Sequence, residues 1–466
     1  MARRVAFTTT IASGAVLICL IFFELAVRII YAPAAAAPAS AGGGQAWTIG
    51  VNLSSAEYFF STFPTANDLS YLQSEGVTLV RLPIAWELMQ HTLYGALDPI
   101  YLAGLKSFLD DAAAHGIKAI VDLHNYGGYS TNINDAGQGN GQKIGTAAVP
   151  ISAFTDLWIR LATQLNGHAG LVGYDLMNEP NGMPSPAIWP QAAPAAVNAI
   201  RTVDMNTAIY VEGDHFANAR NWLNPDPGYG NTNLIIKDPA NNIIYEAHVY
   251  FDNGTSNYAL TYDQQGANPN IGVTLVAPFV QWLQQNRLQG FIGEFGVPNN
   301  DPRWTIVLNN FMDALQAAGV SGTEWSYASH KPNDPSWFPS ANVKINLWKA
   351  NGPMSPNMAL IFNHTAPTIT SFSPRNGTVG DGITSANVLT LSGTAAANSI
   401  VKVFDGAMQL GTATANASGA WSFVTAQLAD GTHSFTTKAT DAAGNTSQAS
   451  SALAVTVHAA ALSTTE

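Results

Sequence analysis

The chain has 466 residues, of which 47% are hydrophobic and 11% charged; its length predicts two domains, and its apolar material suffices for a sizeable core, which excludes a disordered chain. Nineteen Lys and Arg against 31 Asp and Glu leave a net charge of −12, which argues against nucleic acid as a partner, since phosphate binding needs clustered cations. The single cysteine, Cys19, excludes a disulfide within the chain and a thiolate zinc cluster.

Residues 1–41 read as an export signal or an N-terminal anchor. Arg3 and Arg4 form a positive start, the run 11–23 is apolar and uncharged, and Ala39-Ser40-Ala41 offers a small-x-small cleavage site. That run is shorter than the ~20 residues needed to span a bilayer, which favours a cleaved signal. The anchor alternative rests on apolar character resuming through 25–31, with Glu24 and Arg28 one helical turn apart. Either reading makes the protein secreted or periplasmic.

From Trp47 onward, strand-like runs alternate with helix-period segments. The runs are "WTIGVNL" (47–53), "TLVRLPI" (78–84), "KAIVDLH" (118–124), "LVGYDLMNE" (171–179), "AIYVEG" (208–213), "IIYEAHVY" (243–250), "GFIGEFG" (290–296) and "GTEWSYA" (322–328). Helical periodicity marks 101–115, 151–165, 275–286 and 305–318. Eight strands with interleaved helices predict an α/β fold, a (β/α)8 TIM barrel over 42–365, whose active site gathers at the C-terminal strand ends. Arg81, His124, Glu179, His248, Glu294 and Trp325 fall at or near such ends.

Near 366 the texture changes to Thr, Ser, Ala and Gly. Short alternating strands appear at 388–393, 399–405, 420–425 and 433–441, divided by turn signals such as Asn376-Gly377, Asp405-Gly406, Asp430-Gly431 and Gly444-Asn445. This predicts a small all-β Ig-like sandwich over 366–458, followed by a tail at 459–466. Trp421 is read as a core residue of that sandwich, with a sugar platform as the alternative.

Two glutamates carry the chemical signal. Glu179 and Glu294 each close an apolar run and are followed by a turn residue, Pro180 directly and Gly296 after Phe295. Paired carboxylates at the ends of separate buried strands suit a hydrolase with an acid/base and a nucleophile, the pair that cleaves sugar–sugar bonds. The fragments "RLPIAWE" (81–87), "VDLHNYGGY" (121–129), "LMNEP" (176–180), "EAHVYFD" (246–252), "GEFG" (293–296) and "EWSYAS" (324–329) occur in one order. In that order they resemble glycoside hydrolase family 5, a cellulase-like family, from about Trp47 to about Asn363. The stretch 428–447, "LADGTHSFTTKATDAAGNTS", carries a likeness to a bacterial Ig-like domain.

The first resemblance implies a retaining enzyme with Glu179 as acid/base and Glu294 as nucleophile. Supporting residues would be Arg81, His124, Asn178, His248, Tyr250 and Trp325. On the expected strand, His248 and Tyr250 are two residues apart and share the inward face. Arg81 or Tyr250 is expected to hold Glu294 ionised, and repulsion from Glu294 to keep Glu179 protonated. Trp86, Tyr126, Tyr129, Trp189, Trp222, Tyr229 and Trp337 are read as packing residues, with sugar platforms as the alternative. Asp122, Asp175, Glu246 and Glu324 are expected to be supporting partners within the barrel. No cofactor and no metal are expected. A metal-dependent hydrolase is the rival suggested by the pairs Asp122/His124 and Glu246/His248, although the first strand supplies no imidazole. The expected substrate is β-1,4-glucan, cut internally, with β-mannan or another β-glucan as alternatives. A non-catalytic surface binder is the alternative of another class. The Ig-like domain would contact polysaccharide or the cell surface.

Overall fold

The computed structural model describes residues 47–58, 63–226, 228, 230–252, 260–298, 301–328, 348–349, 367–375, 382–396, 398–416, 418–440, 447 and 449–458. The expected export signal with Cys19, the aromatics Tyr229 and Trp337, and the turns Asn376-Gly377 and Gly444-Asn445 lie outside the described residues. So does the 459–466 tail.

Eight parallel strands form the barrel: β1 (Ile49–Ser54), β2 (Leu79–Ile84), β3 (Lys118–Leu123), β4 (Leu171–Asp175), β5 (Ala208–Glu212), β6 (Ile243–Tyr250), β7 (Gln289–Gly296) and β8 (Ser321–Ala328). Each pairs with the next, and β1 closes on β8 through Ile49 opposite Gly322. A two-residue strand, Trp348–Lys349, pairs along β8. The strands read as near-continuous apolar runs because one face meets the barrel interior and the other meets helices.

Among the described residues six longer helices, besides the four-residue helix Trp86–Met89, pack outside: α1 (Ala66–Ser74), α2 (Pro99–Ala114), α3 (Ile151–Leu165), α4 (Ile188–Arg201), α5 (Ile271–Asn286) and α6 (Arg303–Ala318). Their starts follow local chemistry. Thr65 and Asp68 form a reciprocal capping box on α1, while Asp98 caps α2 with Pro99 in its first turn. After β5 the described chain makes a short 3-10 turn, Ala219–Asn221, in place of a helix. The helices bury Leu105, Leu109, Trp158, Trp189, Trp282, Trp304 and Phe311 against the barrel.

The fourth strand is shorter than its apolar run. Its ladder stops at Asp175, four residues before Glu179. Beyond it Leu176 N–H donates to Tyr210 O (3.1 Å) and Asn178 N–H to Leu123 O (2.9 Å), so the chain stays tied to both neighbours while leaving regular pairing. Glu179 then turns with φ +43°, a left-handed conformation for a residue that carries a Cβ.

The C-terminal region forms two sheets: β9 (Thr368–Ser373), β11 (Thr390–Thr394) and β14 (Ala420–Val424) in one, and β10 (Ile383–Thr384), β12 (Ile400–Asp405), β13 (Met408–Thr414), β15 (Gly431–Thr440) and β16 (Leu453–Val457) in the other. Phe372, Leu389, Leu391, Val401, Val403, Trp421, Phe435 and Val455 make its core. Trp421 is thus a packing residue, only 4% exposed.

Candidate active site

Arg81 organises the barrel interior. It sits mid-strand in β2, not at the strand end expected for it, and is fully buried. Its guanidinium lies 3.1 Å from Asp122, 2.7 Å from Asp175, 2.8 Å from Glu212, 3.2 Å from Glu246 and 3.4 Å from Glu294. It also donates to Asn178 Oδ1 (3.0 Å) and Asn52 Oδ1 (3.1 Å). One cation among so many carboxylates cannot keep all of them ionised. Burial is the leading cause that pushes Glu212 and Glu246 up to about 7, and it drives Asp122 and Asp175 well above the usual carboxylate range.

Above this layer the two glutamates meet through His248 and Tyr250. His248 Nδ1 lies 2.8 Å from Glu179 Oε1, and the Tyr250 hydroxyl donates to Glu294 Oε2 at 2.7 Å. An oxygen of Glu179, a ring nitrogen of His248 and an oxygen of Glu294 all lie within 4.8 Å of one another. The register explains this: His248 pairs with Glu294 across β6 and β7, while the turn after β4 brings Glu179 over from the opposite side.

The charge states diverge within that small space. Burial would raise Glu294, but His248, Arg81 and the Tyr250 hydroxyl outweigh it and hold the carboxyl below its ordinary range. His124 adds no cation, because burial pushes its own pKa down to about 3. His248 keeps its proton: burial opposes the charge, and the carboxylates of Glu212 and Glu294 with the Glu179 hydrogen bond overcome it. Glu179 is raised, with burial leading and Glu294 repulsion a smaller cause, while its bond to His248 works the other way. The expected directions hold. The expected causes need amendment: His248 ranks ahead of Arg81 at Glu294, and burial ahead of repulsion at Glu179.

The remaining expected residues fall around this pair. His124 Nδ1 bonds Asp122 Oδ2 (2.8 Å), and its ring stacks on Trp325 with centroids 5.4 Å apart and planes at 15°. Asn178 Nδ2 is buried with no hydrogen-bond partner in the described structure. Of the aromatics weighed as platforms, Trp86, Trp189 and Trp222 are fully buried and Tyr129 nearly so, which makes them core residues. Tyr126 remains half-buried, its hydroxyl 3.3 Å from His124 Nε2. Asp122, Asp175 and Glu246 support Arg81 as expected, but Glu324 does not. It is buried on β8 with no hydrogen-bond partner for either carboxyl oxygen among the described residues, and burial raises its pKa well above the usual carboxylate range. Glu212 and Asn52 were missed by sequence reasoning. The signal for Glu212 was present in "VEG", a strand-terminal glutamate before glycine.

Two further groups bring ligand atoms within 4.8 Å of one another: Glu212, Glu246 and His248, and Asp122, Asp175 and Glu212. Both are already served by a cation, His248 in the first and Arg81 beside the second. Their donor chemistry therefore suits an internal ion network.

The sequence pattern of the cellulase family, glycosyl hydrolase family 5, matches residues 41–331, and that of a bacterial Ig-like domain matches 365–458. The chain belongs to glycosyl hydrolase family 5. As a member it is a glycosidase, built as a TIM barrel followed by an Ig-like domain. An endo-beta-1,4-glucanase B from Aspergillus niger is 30% identical over 277 residues, which is 59% of this chain and 75% of that protein. The crystal structure of a Pseudomonas stutzeri endoglucanase in complex with cellobiose is similar at 35% identity and a TM-score of 0.58, covering 68% of this chain and 92% of that one. An endo-beta-1,4-glucanase from Xanthomonas axonopodis pv. citri gives 30% identity and a TM-score of 0.56, with 68% and 97% covered.

Proposed function

We propose that this family 5 member is a retaining endo-β-1,4-glucanase with Glu294 as nucleophile and Glu179 as acid/base. The observation that carries the reading is the approach of Glu179 and Glu294, which bring carboxyl oxygens within 4.8 Å of one another, in keeping with the ~5–5.5 Å between carboxyl groups in retaining enzymes. Glu294, held ionised by His248, Arg81 and Tyr250, attacks the anomeric carbon while Glu179 gives its proton to the departing glycosidic oxygen. Glu179 then takes a proton from water, whose oxygen attacks the same carbon and releases Glu294. The net configuration is kept.

Asn178, with its unspent Nδ2 donor, suits a hydrogen bond to the sugar 2-hydroxyl. Trp325, held by its stack on His124, offers a face to the C–H side of a sugar. The relatives named endo-β-1,4-glucanases and the cellobiose complex support β-1,4-glucan as the substrate. The Arg3-Arg4 start and apolar run at the N-terminus support export to the periplasm or beyond, with the Ig-like domain contacting polysaccharide or cell surface.

Product analysis on soluble β-glucans and β-mannans, with the first-formed anomer read by NMR, tests the proposal. Internal cuts in β-1,4-glucan with a first-formed β-anomer are expected. A first-formed α-anomer, or a preference for mannan, would overturn the mechanism or the substrate respectively.

A further inference from the structure

We propose that Glu212 is a positioning residue for the acid/base, one carboxylate that fixes both the backbone of Glu179 and the ring of His248. The inference rests on the reading of Glu179 as the proton donor. Glu212 ends β5 and is fully buried. Its Oε2 accepts the Glu179 backbone N–H at 2.6 Å. Its Oε1 accepts from Arg81 Nη2 at 2.8 Å and lies 3.3 Å from His248 Nε2. The other ring nitrogen of His248 reaches Glu179 Oε1 at 2.8 Å. The donor is therefore tied to Glu212 twice, through its own backbone and through an imidazole that hydrogen-bonds Glu179 at one ring nitrogen and stands in ion-pair range of Glu212 at the other.

That double tie answers a specific need. Regular pairing of β4 ends at Asp175, so Glu179 reaches its place through a left-handed turn, φ +43°, which a residue with a Cβ adopts only when its surroundings hold it. A carboxylate accepting the N–H of that residue holds it directly. The plainer account, that Glu212 only balances Arg81, leaves this contact unexplained. Arg81 has Asp175 at 2.7 Å, Asp122 at 3.1 Å and Glu246 at 3.2 Å without it. Glu246 is a poor substitute, since it stands 3.8 Å from His248 Nε2.

Glu212→Gln and Glu212→Ala test the idea on two substrates, with kcat/KM reporting glycosyl transfer to Glu294. Cellotetraose needs a proton at its leaving oxygen; 2,4-dinitrophenyl β-cellobioside does not. The Gln variant keeps the side chain's size, but one end of its amide must meet Arg81 or the Glu179 N–H with a donor. Misplacing a general acid should cost roughly 10- to 100-fold on cellotetraose and little on the dinitrophenyl substrate. Equal losses on the two substrates in a variant that melts cooperatively, or no loss on either, would overturn the proposal. The Gln variant keeps the question answerable if Glu212→Ala does not fold. Glu179→Ala in the same assay separates the two readings. If it shows no dependence on the leaving group, the acid/base assignment itself fails. If it does and the Glu212 variants do not, only this inference fails.

Discussion

The barrel and the sandwich bury opposite kinds of interior. In the described sandwich every buried polar residue carries a hydroxyl: Thr384, Ser399, Thr425, Thr437, Ser447 and Ser450. Several of these stand in for sheet partners, as where Leu389 N–H donates to Thr425 Oγ1 (3.0 Å) and Ala439 N–H to Ser447 Oγ (2.9 Å). The barrel instead buries Arg81, Asp122, Asp175, Glu212, Glu246, His248 and Glu294 in one contiguous layer. Desolvating that many charges is costly, and apolar replacements of equal volume are often as stable or more so. The sandwich shows what this chain builds when only packing matters. The barrel interior shows what it keeps for chemistry, in line with the expectation that local rules are broken at functional sites.

The largest effect that sharpens this contrast is loss of the nucleophile. Glu294→Ala should lower kcat on the order of 10⁴-fold or more while the fold survives, because it removes a charge from a layer already rich in acid. Added azide should restore part of the turnover with inverted product, read by NMR. Glu179→Ala should spare substrates with good leaving groups at the first step and slow deglycosylation. Equal and total loss on every substrate for both variants would break the division of roles.

Next come two stability changes of similar size in the two regions. Arg81→Ala leaves buried carboxylates without their cation and should cost about 3–5 kcal/mol, together with activity. Trp421→Ala removes the largest buried ring of the sandwich core and should also cost about 3–5 kcal/mol. Denaturant melts followed alongside kcat distinguish them. A Trp421 variant that loses turnover in step with stability would show the two interiors to be coupled.

Much of this was legible in the sequence because buried parallel strands leave long apolar runs and turn residues end them. The strands at 208–212, 243–250 and 289–296 fall within a residue or two of their runs. The misses have physical causes. Helix α4 carries Pro190 in its first turn and Pro194 inside, which break the expected helical signal. The end of β4 could not be read, since the apolar run continues through Leu176 and Met177 while hydrogen bonding changes partners at Tyr210 and Leu123. Trp86, Trp189 and Trp222 are no miss: they follow strand ends in sequence, and their rings turn inward to the core as the packing reading expects. Glu212 and Asn52 escaped because their importance lies in contacts with Arg81 from strands far apart in the chain.

A smaller effect concerns pH and stability. Glu57, Glu212 and Glu246 are carried from an ordinary 4.5 up to about 7, with burial the first cause in each. A carboxyl whose folded pKa is raised binds its proton more tightly in the native state. The stability it contributes is complete below 4.5 and is lost as pH rises through about 7. His248, also raised, acts in the same sense. Glu294 is lowered and acts oppositely, contributing stability above 4.5 that is lost as pH falls. The melting temperature should therefore peak on the acid side, near pH 5, and decline by several degrees toward pH 8. A melting temperature that rises steadily from pH 5 to pH 8 would mean that the buried layer is ionised and balanced.

The smallest expected effect is on removing the sandwich altogether. Its core residues and those of the barrel form separate clusters, and each of the residues proposed to act on substrate precedes residue 331. A chain ending at residue 365 should fold as a barrel and turn over a soluble β-glucan within about twofold of the full chain, since no charge or donor near Glu179 or Glu294 is taken away. Activity on insoluble polysaccharide is the sharper measurement, because a domain that contacts polysaccharide changes how often the barrel meets its substrate and leaves its chemistry alone. A drop confined to insoluble substrate would assign the sandwich a targeting role. A well-folded truncated barrel that loses most of its turnover on soluble substrate would show that the apolar interior of the sandwich serves the charged interior of the barrel after all.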